Sequence, residues 1–225
     1  SLPDIETITD KHTMVVSLLN GVDSEELIGQ RIGMEHMIYS LIRIASHRIG
    51  NSIHFSLPKG YNGIYIGIPN QPACQDPRLA AIAEIFADTP VTLHLSDDIL
   101  LDMWDKFGLN VSRNLPQAIL GVGIGVYDDS IYADAIMRRM RHEVVLVANA
   151  KGIPLTDEFK AAKWLPSQRY STLQDLDAHR HTEIDMFSGA LIRMGKEVGV
   201  ECPYNEMTYN LIKALEEKND GKFDY

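Results

Sequence analysis

Cysteine is scarce in this sequence. Cys74 and Cys202 stand far apart, in no spacing that suits a metal, so neither a disulfide framework nor a zinc site organises the chain. Two reduced thiols in a cytosolic protein is the reading that remains. Long apolar runs are missing as well. Stretches such as Val144 to Ala150 fall well short of the roughly 20 residues a membrane helix needs, and we read no signal peptide. Basic residues are in deficit, with 21 Lys and Arg against 31 Asp and Glu, a formal net charge of -10 and a pI near 5.2. That balance argues against a nucleic-acid partner, whose phosphates are met by clustered Lys and Arg. Internal repeats and low-complexity segments are absent too. What is present, 45% hydrophobic and 23% charged residues in a chain of 225, describes an ordinary globular protein of one large domain or two modest ones.

The chain changes character near Ser96. Upstream, runs rich in β-branched and aromatic residues predict strands at Met14 to Leu19, Met37 to Ile44, Ser52 to Phe55, Ile64 to Ile68 and Val91 to Leu95. The turn cluster from Pro58 to Gly63 suggests a hairpin joining the third and fourth of these, and Ala80 to Ala87 reads as a crossover helix. From Ser96, an expected N-cap, the period becomes helical. Helices are predicted at about 97 to 115, 130 to 150, 156 to 165, 168 to 179, 183 to 198 and 204 to 218, with Gly152 and Gly199 closing two of them.

Two segments carry chemistry. In Trp104 to Asn114, Lys106, Asn110 and Asn114 recur at four-residue steps on one helical face, opposite Leu100, Met103, Trp104, Phe107 and Val111. The bland reading is a solvated stripe; against it, Asn is a mediocre helix former whose amide needs a partner. In Ser171 to Asp185, Thr182 reads as an N-cap with Asp185 as its capping-box partner, which puts Glu183 in a first helical turn. Alone, that carboxylate could merely complement the helix dipole. Other features resolve blandly. Gly121-Val-Gly-Ile-Gly125 follows no strand and reads as a packing or turn feature. The Met residues and Trp164 are assigned to the core, His181 to a local cap or packing role, and Arg138, Arg139 and Arg141 to a solvated helix face.

The run Ser-x-Leu-Gln-Asp leading into Arg-His-Thr-Glu-Ile-Asp185, together with Trp104-x-Lys106 followed by Asn110 and Asn114, resembles the signature of the ketopantoate reductase family. Val15 to Gly21 resembles the last strand of that family's cofactor half, and Arg48 to Asn51 its next hairpin turn, so the similarity covers nearly the whole chain. The resemblance implies an α/β region followed by an all-α one. Residues 1–95 would be the C-terminal part of a truncated NADP-binding Rossmann-type domain, and 96–225 a helical catalytic domain like the C-terminal domain of 6-phosphogluconate dehydrogenase.

It also implies NADPH-dependent reduction of 2-dehydropantoate to pantoate for pantothenate synthesis, in the cytoplasm, with room for a homodimer. Lys106 would be the general acid, Asn110 and Asn114 would hold the substrate's hydroxyl and oxo groups, and Ser171 its carboxylate. Glu183 would bond the nicotinamide ribose or orient Lys106. Asn20 would lie beside nicotinamide and substrate, and Ser46 is a weaker candidate for a cofactor contact. One departure stands out: no Gly-x-Gly-x-x-Gly turn occurs in the sequence, so the chain as given is expected to bind NADPH poorly and to be inactive without that turn. Two other readings stay open, a non-catalytic descendant or fragment serving as a dimerisation or small-acid-binding module, and a reductase of another 2-oxo acid.

Overall fold

The computed structural model describes residues 2–44, 46–49, 52–55, 62–159 and 165–225, without the side chains of 46–49 and 53. It divides into two units, Ser1–Met103 and Trp104–Tyr225.

The first unit is α/β. Strand β1 (Val15–Val16) runs parallel to β2 (Met37–Arg43), β2 runs antiparallel to β5 (Gly63–Gly67), and β5 runs parallel to β6 (Leu93–Leu95), giving the order β1-β2-β5-β6. Each parallel pair is joined by a crossover helix, α2 (Ser24–Ile32) for the first and α3 (Pro77–Phe86) for the second, as parallel strands require. Helix α1 (Leu2–Ile8) precedes β1. The first five residues of β2 are all buried, Ser40 among them, which explains why the run is largely apolar and does not alternate. Ile38, Ile64, Ile66, Leu79 and Ile82 form the core between sheet and α3. Helix α3 starts three residues before its predicted position because Asp76 caps it, accepting the Arg78 N–H at 2.9 Å, with Pro77 at the first turn.

The expected hairpin does not form. Ser52–Phe55 (β4) pairs antiparallel with Ser46–Ile49 (β3), while Gly63–Gly67 lies in the main sheet beside β2. Burial explains the exchange: Ile64 and Ile66 need a covered position, whereas the alternating Ser52 and His54 with an exposed Phe55 suit a two-stranded ribbon. Most of the expected turn cluster lies outside the described residues.

The second unit, with the start of its first helix in the preceding one, is built of helices. Helix α4 (Ile99–Leu109) passes through a π turn (Asn110–Asn114) into α5 (Leu115–Leu120), and α6 (Val126–Asp129) leads into the long α7 (Ile131–Ala150). Then come α8 (Ser171–Asp177), α9 (Ser188–Val198) and α10 (Pro203–Asn219). Phe107, Val111, Leu115, Met140, Val144, Leu173, Phe187, Leu191 and Ile212 are buried at helical spacing along these elements. No helix forms at 156–159, the described start of the helix predicted at 156 to 165; residues 160–164, with the expected core residue Trp164, lie outside the described residues. No described helix is long and apolar enough to cross a membrane.

Candidate active site

Lys106 stands half-buried in the last turn of α4, and Asn110 and Asn114 bound the π turn that follows. Proline explains why the helix widens here. Pro116 has no N–H for the carbonyl of Ser112, and its ring crowds that carbonyl, so a regular helix cannot run through. The Ser112 hydroxyl adds to the distortion by donating to the Gly108 carbonyl at 2.6 Å. π turns of this kind are frequent at functional sites. The two amides are buried, at 9% and 4% exposure, and the Asn114 Nδ2 donates to the Asn110 Oδ1 at 3.4 Å. The Asn114 Oδ1 is buried with no hydrogen-bond partner among the described residues. The amide part of the stripe is therefore enclosed and carries a spare acceptor, rather than forming a solvated face.

Arg141 fixes the turn that carries Lys106, and here the expected solvated face is corrected. Arg141 is 1% exposed, and its guanidinium donates to the Asp105 carbonyl and carboxylate, each at 3.3 Å, and to the Thr156 carbonyl at 2.9 Å. Burial pushes its pKa down, and the Asp105 carboxylate opposes that shift. Gly108 makes the room, since a Cβ there would sit 2.1 Å from the Arg141 Nη1. The signal was present in the sequence: Met137, Arg141 and Val144 share the core-facing period of α7, whereas Arg138 and Arg139 do not. Arg141 and Arg113 approach the ring of Phe159, at 5.1 and 4.5 Å from its centroid.

Ser171 opens α8, exposed, and α8 packs against the π turn and α5. Gln117, fully buried in α5, positions the approach to α8, donating to the Gln168 carbonyl at 2.8 Å and accepting the Tyr170 N–H at 2.9 Å. Neither Gln117 nor Arg141 was singled out from the sequence as a support for the site.

The expected capping box around Glu183 does not form. Helix α9 begins at Ser188, and residues 183–187 make turns instead. The Thr182 Oγ1 accepts the Ile184 N–H at 3.2 Å and donates to Glu216 of α10 at 2.7 Å, while Asp185 takes the Tyr209 hydroxyl at 2.7 Å. Glu183 is half-buried in this turn, and its carbonyl accepts the Met186 and Phe187 N–H groups at 2.9 and 3.2 Å. His181 does not act locally; it reaches Asp220, at 2.9 Å.

The glycine run at 121–125 is a turn and packing feature, as expected. Gly121 takes a left-handed conformation (φ 69°) after α5, and a Cβ on Gly123 would sit 2.2 Å from the Pro166 carbonyl oxygen. Asn20 and Ser46 belong to the first unit. Asn20 follows the C-terminal end of β1, one residue before Gly21 (φ 103°), the end of a parallel strand where such sheets bind ligands. Ser46 is the first residue of β3, and its side chain lies outside the described residues. The pyrophosphate turn of a dinucleotide site has no counterpart in the sequence.

Comparison with known proteins bears on this arrangement. The family model described as ketopantoate reductase PanE/ApbA C terminal matches residues 98–216, and the model described as ketopantoate reductase PanE/ApbA matches residues 1–71. A 2-dehydropantoate 2-reductase of Caulobacter vibrioides is 28% identical over 218 residues, covering 93% of this chain and 71% of that protein. Among solved structures, D-mandelate dehydrogenase with NADH and anilino(oxo)acetate is 24% identical with a TM-score of 0.83, over 97% of this chain and 72% of that one. A dimeric ketopantoate reductase from Staphylococcus aureus is 15% identical with a TM-score of 0.79, over 97% and 73% of the two chains. Both structures share the fold.

Proposed function

The chain belongs to the ketopantoate reductase family, and on that premise we propose that it serves the NADPH-dependent reduction of 2-dehydropantoate to pantoate, in the cytoplasm, for pantothenate synthesis. The observation that carries the reading is the enclosed amide pair at the π turn that follows Lys106, with the Asn114 Oδ1 buried and without a hydrogen-bond partner among the described residues. A substrate rich in hydroxyl and oxo groups satisfies such a strip, and a purely structural helix has no need of it.

In this reading residues 1–95 belong to the nucleotide-binding domain and 96–225 form the catalytic one. The hydride that reduces the ketone carbon would come from a dihydronicotinamide when one is bound. Lys106 holds the ketone oxygen, stabilises the charge that grows on it and gives it a proton, leaving a neutral amine that solvent reprotonates. Asn110 and Asn114 fix the substrate's hydroxyl and oxo groups, Ser171 meets its carboxylate, and Glu183 serves the nicotinamide ribose or the lysine. Asn20 would meet the nicotinamide and the substrate, and Ser46 is the lesser cofactor candidate. The dimeric S. aureus relative supports a homodimer.

The likeness to D-mandelate dehydrogenase favours a second reading, reduction of a different 2-oxo acid with NADH. Initial rates of NADPH and NADH oxidation by the full-length protein, with 2-dehydropantoate and with an aromatic 2-oxo acid, separate the two. The proposal expects 2-dehydropantoate with NADPH to give the highest kcat/KM. A preference of more than about tenfold for the aromatic acid would replace it with the second reading.

A further inference from the structure

Helix α10 carries Tyr209, Lys213 and Glu216, and Asp220 caps its C-terminal end; the four are spaced so that they share one face, and all contact the segment 181–185. Glu216 is the centre of this contact. It is 2% exposed, and one of its oxygens, Oε1, accepts both the backbone N–H and the hydroxyl of Thr182, each at 2.7 Å. The same hydroxyl oxygen accepts the Ile184 N–H. One carboxylate thus holds Thr182, the residue before Glu183, directly and the peptide after Glu183 through a single relay. Its other oxygen meets the Lys213 ammonium at 2.8 Å, so the buried charge is balanced.

We propose that Glu216 is a positioning residue for Glu183, fixing the turn so that the Glu183 carboxylate reaches its cofactor or lysine partner. The inference rests on the assignment of Glu183 to the site. Capping of α9 does not explain the arrangement, since that helix begins five residues later. Nor does a surface ion pair, because both Thr182 bonds are made by a buried oxygen.

The test is steady-state kinetics of the full-length protein and its variants, with 2-dehydropantoate and NADPH varied separately and circular dichroism as the folding control. Glu216→Ala should lower kcat/KM about tenfold to hundredfold in the pattern of Glu183→Ala, across the same substrate and cofactor constants. Glu216→Gln keeps an acceptor for Thr182 and should return activity to within about threefold of the parent. In the double variant, the loss should not exceed that of Glu183→Ala alone, because a misplaced group and a missing one are equivalent. A folded Glu216→Ala with parent kinetics, or a double variant whose losses multiply, would overturn the inference. If Glu216→Ala does not fold, Thr182→Val, which removes the relay and keeps the direct bond, should show a smaller loss in the same constants, and parent kinetics for it would overturn the inference. Parent kinetics for Glu183→Ala would instead remove the premise, and the inference with it.

Discussion

Residues 104–114 and residues 181–185 supply most of the candidate site, yet they owe their shape to different parts of the chain. The first segment is shaped largely from within. Pro116, just beyond it, and the Ser112 hydroxyl widen its helix into a π turn, and one buried arginine from α7, in the room left by Gly108, locks it. The second has no regular structure of its own and takes its form from α10, 24 to 39 residues further along. Chemistry placed on a helix can be read from spacing, whereas chemistry placed on a held turn depends on residues that no local pattern connects to it.

The contrast can be sharpened by removing groups from the first segment. Asn110→Ala should raise KM for the 2-oxo acid by about one order of magnitude with a smaller fall in kcat, because an amide that holds substrate and transition state alike contributes uniform binding. Steady-state kinetics check this, and a fall in kcat alone would move Asn110 to a transition-state role. Gly108→Ala probes the lock. Its methyl would displace the Arg141 guanidinium, which is buried and cannot swing into solvent, so it should cost about 1–3 kcal/mol in urea unfolding. A neutral result would show that Arg141 has another place to go.

For the second segment the handle is pH. Burial works against the charge on Glu216, but the bonds from Lys213 and Thr182 outweigh it and hold its pKa below the usual carboxylate range. A carboxyl lowered on folding contributes stability that is complete above its unfolded value, near about 4.3, and is lost as pH falls through the folded value. Thermal unfolding of the parent should therefore weaken in that acid window more than that of Glu216→Gln. Equal acid sensitivity would mean that the pair adds no net stability.

Much of the fold was legible. The strand runs at 37–44 and 64–68 and most of the helices after Ser96, though not the one expected from 156, follow from periods of two and 3.6, and the positions of Lys106, Asn110 and Asn114 on neighbouring turns follow from their spacing. The failures have physical causes. Thr182 and Asp185 satisfy the capping-box pattern, but their side chains bond to α10, a competition invisible to local sequence. The hairpin was placed one strand late because burial, not turn composition, decides which strand joins the sheet. Arg141 was set with its neighbours on the surface although the period of α7 puts it on the core side.

Replacement of Lys106 is the most direct test of the account. In the full-length protein, folded by circular dichroism, Lys106→Ala should lower kcat for 2-dehydropantoate by about two to four orders of magnitude, the range for a lost general acid, and leave NADPH affinity nearly unchanged. A folded Lys106→Ala variant within about threefold of the parent kcat would contradict the assignment of this residue, and the mechanism built on it.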